Sequence, residues 1–150
     1  MSTFTIQTQT GNYLHVSYDV SKAFFNNPRF ESGTFENTTG VEATFPAGTL
    51  LARNSTTDSL VPLSSLTPTL GQNLPVGILA DTLEDIPAAG TVEDAPYCVG
   101  GDVAEDKLVF QGADTLETVI DDRRLKDRIK SDTLGIYVMP GTERTTIDNV

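Results

Sequence analysis

A seven-residue stretch near the middle of the chain, 74–80, constrains the fold more than any other. It reads LPVGILA and has no charged neighbour before Asp81. A short apolar run of this kind predicts a central strand buried on both faces. Pro75 suits the first residue of such a strand, where a proline removes no hydrogen bond from the sheet. Gly77 indicates either a β-bulge or a place where another backbone comes close.

Further strands are predicted on both sides of this stretch. Before it, residues 47–63 predict a hairpin that opens at Gly48 and has a polar turn over 54–58. After it, strands are predicted over 95–101 (ending in a glycine pair), 107–110 and 136–138. Loops are predicted over 64–73 and over the acidic stretch 81–94.

The charged stretch 121–130 predicts the one helix. Leu125 and Ile129 lie four residues apart and would share a buried face, while the acidic residues precede the basic ones and so complement the helix dipole. Two starts are open. A capping box could begin at Asp114, or Asp121 could be the N-cap after an extended segment, and we favour the second.

Charge and composition exclude several classes of protein. A net charge of -11 argues against nucleic acid and against an anionic membrane as direct partners, because both attract basic surfaces. No apolar stretch approaches the roughly 20 residues of a membrane helix. The first 25 residues lack a basic start followed by an apolar run, so we expect no secretory signal and synthesis in the cytoplasm.

Residue types that carry chemistry are scarce. His15 and Cys98 are the only histidine and the only cysteine, so the usual zinc site cannot be assembled and no intramolecular disulfide can form. Cys98 is expected to be a small buried apolar residue. The acidic residues of 81–94 lack the spacing of a calcium loop. We therefore predict no catalytic residue, no metal site and no cofactor.

Residues 1–45 differ in composition from the rest of the chain. They hold eight of the eleven aromatic residues but few aliphatic ones, and 26–40 is predicted as loop. Two interpretations are open. The aromatic residues could pack on the same domain, or the segment could be an arm that lies along a partner, with 3–8 pairing to a partner strand. The arm interpretation assigns partner contacts to Phe4, Ile6, Tyr13, Leu14, Val16 and Tyr18.

The order of these segments resembles the lambda-type head decoration proteins of tailed bacteriophages. Residues 46–52 (PAGTLLA), 60–63 (LVPL) and 75–79 (PVGIL) follow one another as the "gtvL", "lvpl" and "vGIL" strands of that family do. The glycine-rich strand 97–103 and the helix running into 134–138 (LGIYV) resemble its second half. The resemblance covers about residues 46–139, and the N-terminal part is longer here than in the compact members.

The resemblance implies a mainly β fold with one or two helices (α+β), built as a small β-barrel-like decoration domain with an extended N-terminal arm. The arm would comprise 1–45, the body 46–139 and a polar C-terminal tail 140–150. The residues expected to define the fold are Gly48, Pro75, Gly77 and Gly135.

The resemblance also implies a function without enzymatic activity. Members of the family form homotrimers on the outer surface of the expanded capsid, at three-fold or quasi-three-fold positions, and hold neighbouring copies of the phage major capsid protein together against the pressure of packaged DNA. Two other classes stay open. One is another phage structural subunit, such as a head fibre base or a tail tube component, and the other is a small-molecule-binding or enzymatic β domain that uses the acidic stretch 81–94.

Overall fold

The fold is mainly β, as the sequence predicts, with a closed barrel of five strands and a single α-helix among the described residues. The computed structural model describes residues 24–140, except for the side chains of residues 25 and 26. It also describes the backbone of two strands near the N-terminus, β1 (Phe4–Gln7) and β2 (Tyr13–Val16).

The other strands are, in chain order, β3 (Phe24–Glu36), β4 (Ala43–Phe45), β5 (Leu50–Arg53), β6 (Leu60–Pro62), β7 (Pro75–Leu79), β8 (Leu83–Ile86), β9 (Thr91–Ala104), β10 (Val119–Ile120), β11 (Arg123–Arg124) and β12 (Ile136–Met139). The helix α1 spans Leu125–Asp132, and short 3₁₀ helices span Thr69–Gly71 and Glu105–Lys107.

The barrel closes through five pairings, in the order β3, β6, β5, β7, β9 and back to β3. β5 and β6 form the predicted antiparallel hairpin, and β7 pairs antiparallel with both β5 and β9. The parallel contact between β3 and β6 consists of a single residue pair, Phe35 with Leu60. β12 extends the sheet by lying parallel to β9.

Alternate residues of the barrel strands supply two hydrophobic clusters. Ile78 and Cys98 belong to the cluster that also contains Leu125 and Ile129 of α1. The next residue of β7, Leu79, belongs to the second cluster, because successive side chains of a strand point to opposite faces. The prediction of a central strand within 74–80 is confirmed as Pro75–Leu79, with Ile78 and Leu79 fully buried on opposite faces and Val76 partly exposed.

Residues 24–45 supply the barrel strand β3 and the strand β4, which pairs with β8 in a separate two-stranded sheet. The prediction of a loop over 26–40 is wrong, since most of that range belongs to β3, which pairs along β9. Phe35 and Phe45 are 0% and 1% exposed, and their ring centroids lie 4.8 Å apart. These two aromatic residues therefore pack on their own domain. β3 is a strand because β9 supplies its backbone hydrogen-bond partners. The polar composition of β3 does not by itself indicate a strand.

The prediction of a loop over the acidic stretch 81–94 is wrong. It contains all of β8, which pairs with β4, and the start of β9. Each of these strands has an aspartate with positive φ beside a register shift, Asp85 (φ 50°) and Asp94 (φ 55°). A β-bulge of this kind accommodates one extra residue in a strand, so the inter-strand hydrogen bonds continue on either side of it.

The strand predicted over 95–101 is confirmed as part of β9, but its predicted end and the strand predicted over 107–110 are wrong. β9 does not end at residues 100–101 but continues to Ala104, with Gly101 at φ 102°. Residues 107–110 form no strand, because their backbone makes only an isolated bridge, between Val109 and Thr49, just before β5. Gly48 lies beside this bridge at φ 100°, and a side chain at its position would collide with the carbonyl oxygen of Lys107.

The predicted N-cap of the helix is also wrong, although the extended lead-in through β10 is confirmed. Asp121 and Asp122 form the two-residue turn between β10 and β11, at φ 48° and 63°. α1 begins after this hairpin with Arg124 as its N-cap, and Leu125 and Ile129 are fully buried as predicted. The helix ends at Asp132, and Gly135 (φ 90°) turns the chain into β12.

Candidate functional site

The strands of the predicted arm form a hairpin. β1 and β2 make a separate two-stranded antiparallel sheet, with Phe4 opposite Val16 and Ile6 opposite Leu14. Residues directly opposite in such a pair lie on the same face, so the register places these four on one face. Tyr13 is opposite Gln7 on the other face. The sixth predicted contact residue, Tyr18, lies outside the described residues.

The pairing of β1 with β2 changes how the arm would meet a partner. Residues 3–8 were expected to add as a single strand to a partner sheet, but one edge of β1 is already bonded to β2. Strand addition would then use the other edge of β1 or the outer edge of β2.

The second feature with functional character is a hydrogen-bonded chain around the phenol of Tyr97. Arg53 donates from Nη2 to the phenol oxygen (2.8 Å), and the phenol donates to Oε2 of Glu31 (2.9 Å). Arg53 also donates from Nη1 to the carbonyl of Asp58 (2.9 Å) and pairs with its carboxylate (3.2 Å). Burial, and then the hydrogen bond to Glu31, raises the pKa of Tyr97 above its ordinary value.

These residues border a groove of about 280 Å³, which we call the Tyr97 groove. Val76, Tyr97 and Val99 supply apolar surface, and Leu134 lies at the groove with 58% of its surface exposed. Glu31, Arg53 and Asp132 supply its charged groups. The lining comes from β3, β5, β7, β9, the last residue of α1 and the segment after it, so only the closed barrel brings these residues together.

The backbone of Leu134 is fixed on both sides. Its N–H donates to the carbonyl of Val99 (2.9 Å), and its own carbonyl accepts from Nη2 of Arg29. The guanidinium of Arg29 reaches Leu134 over Gly100, where an added Cβ would come within 2.6 Å of Nε. Gly100 therefore provides room for Arg29, and Gly101 provides room for the backbone of Asn27 and Pro28, so the glycine pair does not end the strand.

A larger groove, about 420 Å³, is lined mainly by neutral polar side chains. They come from three segments and are Thr38, Thr39, Ser64, Ser65, Thr67, Gln72 and Gln111. Asp114 fixes one wall, because its carboxylate accepts hydrogen bonds from the backbone N–H (2.9 Å) and the hydroxyl of Ser65. The neighbouring residue, Leu66, is 91% exposed.

Cys98 is fully buried between the barrel strands, and burial raises the pKa of its thiol. The prediction that it is a small buried apolar residue is confirmed. Within the described part of the chain, no three acidic, histidine or cysteine side chains form a group that could hold a metal ion. None of the helices in that part has the length and apolar character that a membrane-spanning helix needs.

Neither a family model nor a curated protein matches the chain.

The hydrogen bonds that join Arg53, Tyr97 and Glu31 were not predicted, although the sequence contains one signal for them. Tyr97 is the hydroxyl-bearing aromatic residue in the strand 95–101, and a buried phenol needs a hydrogen-bond partner. Its partners lie 44 and 66 residues away in the sequence. No local pattern identifies them.

Proposed function

We propose that the chain is a bacteriophage head decoration protein. It assembles as a homotrimer, binds the outer surface of the expanded capsid at three-fold or quasi-three-fold positions and stabilises the shell against internal DNA pressure. Its partner is the phage major capsid protein. It is made in the host cytoplasm, is located on the virion and acts without catalysis.

The observation that carries this proposal is the agreement between the order of the family-like segments and the barrel. The first three, 46–52, 60–63 and 75–79, supply β5, β6 and β7, which are neighbours in one sheet. The fourth, 97–103, lies in β9 beside β7. The last, 134–138, follows α1 and supplies most of β12, which pairs with β9. A set of short motifs that also pack as neighbours supports common ancestry more strongly than the motifs taken singly.

The N-terminal hairpin supports a role in attachment. Its register collects Phe4, Ile6, Leu14 and Val16 on one face, and an apolar face of this kind is suited to burial against a partner. Residues 2–18 contain no aspartate, glutamate, lysine or arginine in a chain of net charge -11. The hairpin can therefore approach a partner without the repulsion that the acidic body would meet on a negatively charged surface.

The test combines the mass of the free protein with co-sedimentation. We expect a trimer that pellets with expanded shells of the phage encoding the chain and pellets far less with compact precursor shells. Rings larger than a trimer, or polymers, would indicate a tail tube subunit instead. A monomer that binds neither kind of shell would overturn the proposal.

The hairpin is tested with a truncation and a matched pair of variants. Removing residues 2–20 should abolish shell binding and leave the trimer intact. Replacing Ile6 and Leu14 by Asn should weaken binding on the order of tenfold or more, because three copies of the face contribute to multivalent attachment. The same replacement at Thr5 and His15, which are opposite each other on the other face, is the control. Unchanged binding by the truncated protein would show that the barrel alone attaches.

A further inference from the structure

The Tyr97 groove combines an apolar wall with the carboxylate of Glu31, which has no ion-pair partner among the described residues. Glu31 accepts a hydrogen bond from the neutral phenol of Tyr97, and no lysine or arginine among the described residues forms an ion pair with it. The other charges of the groove take part in ion pairs. Arg53 pairs with Asp58, and Arg128 is shared between Asp132 and Asp121. The groove itself holds two acidic residues and one basic residue, so its own charge is negative beside an apolar surface.

The apolar wall is held in place before any partner arrives. Leu134 is 58% exposed, yet its N–H and carbonyl are both bonded, to Val99 and Arg29. Val99 is 5% exposed and belongs to the hydrophobic cluster around Tyr97. An exposed leucine whose backbone is fixed loses little freedom on binding, and this preorganisation is what makes a small surface an effective contact.

We propose that the Tyr97 groove is a docking site for a lysine or arginine side chain of a partner protein. The aliphatic stem of the partner residue would pack on Val99 and Leu134, and its charged group would meet Glu31. Long basic side chains combine an apolar stem with a charged end, which matches the two parts of this groove. Charge complementarity selects the occupant, since an acidic or phosphorylated segment would meet both Glu31 and the net charge of -11.

This inference goes beyond decoration of a capsid and does not depend on it. If the chain is a decoration protein, the partner is the shell subunit, and a basic residue of that subunit is the group that enters the groove. If the partner is another protein, the same chemistry of recognition applies.

The direct test uses NMR with two peptides that differ in charge alone. The first is acetyl-Gly-Leu-Arg-Leu-Gly-amide, and in the second the arginine is replaced by the uncharged citrulline. We expect the arginine peptide to shift the methyl resonances of Val76, Val99 and Leu134, with a dissociation constant on the order of 1 mM. The citrulline peptide should bind about fivefold more weakly, because it lacks the charge pair with Glu31.

Glu31→Gln identifies the group responsible. Glutamine keeps an oxygen that accepts the hydrogen bond of Tyr97 but removes the charge, so the two peptides should bind this variant equally. Glu93→Gln, an exposed acid outside the groove, is the control and should retain the preference. Leu134→Ser should weaken both peptides while keeping their ratio. Equal binding of the two peptides to the intact protein, or an unchanged preference in Glu31→Gln, would overturn the proposal.

Shell binding separates this inference from the proposed function. If the intact protein pellets with expanded shells and Glu31→Lys does not, the decoration function and the docking of a basic side chain in the groove are both supported. If the intact protein does not bind shells but still prefers the arginine peptide, the decoration function fails and the groove remains a site for a basic residue. If Glu31→Lys converts the free protein to another oligomeric state, the occupant is a second copy of this chain and the proposal of a separate partner is wrong.

Discussion

The side-chain amide of Asn37 donates a hydrogen bond from Nδ2 to the carbonyl oxygen of Ile86, 2.9 Å away, and so joins the end of β3 to the end of β8. The same nitrogen lies 2.7 Å from the carbonyl of Val41 and 3.1 Å from that of Pro87. Its amide oxygen accepts from the backbone N–H and the hydroxyl of Thr39. With 1% of its surface exposed, Asn37 is a buried polar residue whose donors and acceptor are all used.

Replacing Asn37 by Ala should lower the free energy of unfolding by about 2–3 kcal/mol, because buried carbonyls are left without their donor. Urea unfolding measures this change as a shift of the midpoint at constant slope. Thr38→Ala, at an exposed neighbour, is the matched control and should change stability little. A loss for Asn37→Ala no larger than that of the control would contradict the role assigned to this amide.

Gly77 should not tolerate a side chain, since an added Cβ would lie 2.6 Å from the carbonyl oxygen of Cys98 and 2.6 Å from Cδ2 of Tyr97. We expect Gly77→Ala to cost about 3 kcal/mol, as overpacking against backbone does. Gly33→Ala is the control in another barrel strand. Its nearest contact is Cδ1 of Leu60 at 3.2 Å, the end of a side chain that can shift, so its cost should stay within about 1 kcal/mol. If thermal unfolding gave equal losses of stability for Gly77→Ala and Gly33→Ala, crowding against the backbone would not be what excludes a side chain at Gly77.

The turn between β10 and β11 should gain stability from a glycine. Asp122 has φ 63° in a two-residue hairpin turn, a conformation that costs residues with a Cβ about 1–2 kcal/mol. After the greater freedom of glycine in the unfolded chain is subtracted, Asp122→Gly should raise the free energy of unfolding by about 0.5 kcal/mol. Asp127→Gly inside α1 should instead lower it by about 0.5–1 kcal/mol, because glycine is the poorer helix former and the ion pair with Arg124 is lost. The same substitution thus has opposite signs at the two sites, and a loss of stability at Asp122 would contradict the turn assignment.

The phenol of Tyr97 should ionise at higher pH than an ordinary tyrosine. Burial and the hydrogen bond to Glu31 raise its pKa in the folded state, so its contribution to stability is complete below about pH 10 and is lost as pH rises through the folded pKa. Subtracting the tyrosinate absorbance of Tyr97→Phe from that of the intact protein isolates this titration. A difference curve with its midpoint at or below about pH 10 would contradict the raised pKa.

The strands that local pattern predicts are the ones whose own residues are apolar. β5, β7 and β12 each contribute side chains to the buried clusters, and each was predicted from a short apolar run. α1 was predicted from the spacing of Leu125 and Ile129, which are both fully buried. In these segments the tendency of the local sequence and the demands of the core coincide.

The strands that were missed are held by their neighbours. β3 is predominantly polar on either side of Phe35, and β8 carries two acidic residues, so neither has a local strand signal. The backbone of β3 is satisfied by β9 along most of its length, and the bulges at Asp85 and Asp94 absorb the residues that do not fit the ladder. Such pairings are set by chain segments far away in the sequence, which a local window does not contain.

The sequence by itself determined which residues are apolar, where the short core strands and the helix lie, and that the chain is strongly acidic. Only the tertiary structure decided that β3 belongs to the barrel, that Arg29 crosses Gly100 to reach Leu134, and that Glu31, Arg53 and Tyr97 meet. The physical reason is the distance along the sequence between the residues that interact. Apolar periodicity is a property of neighbouring residues, whereas strand pairing and the partners of buried polar groups depend on contacts that exist only after the barrel has closed.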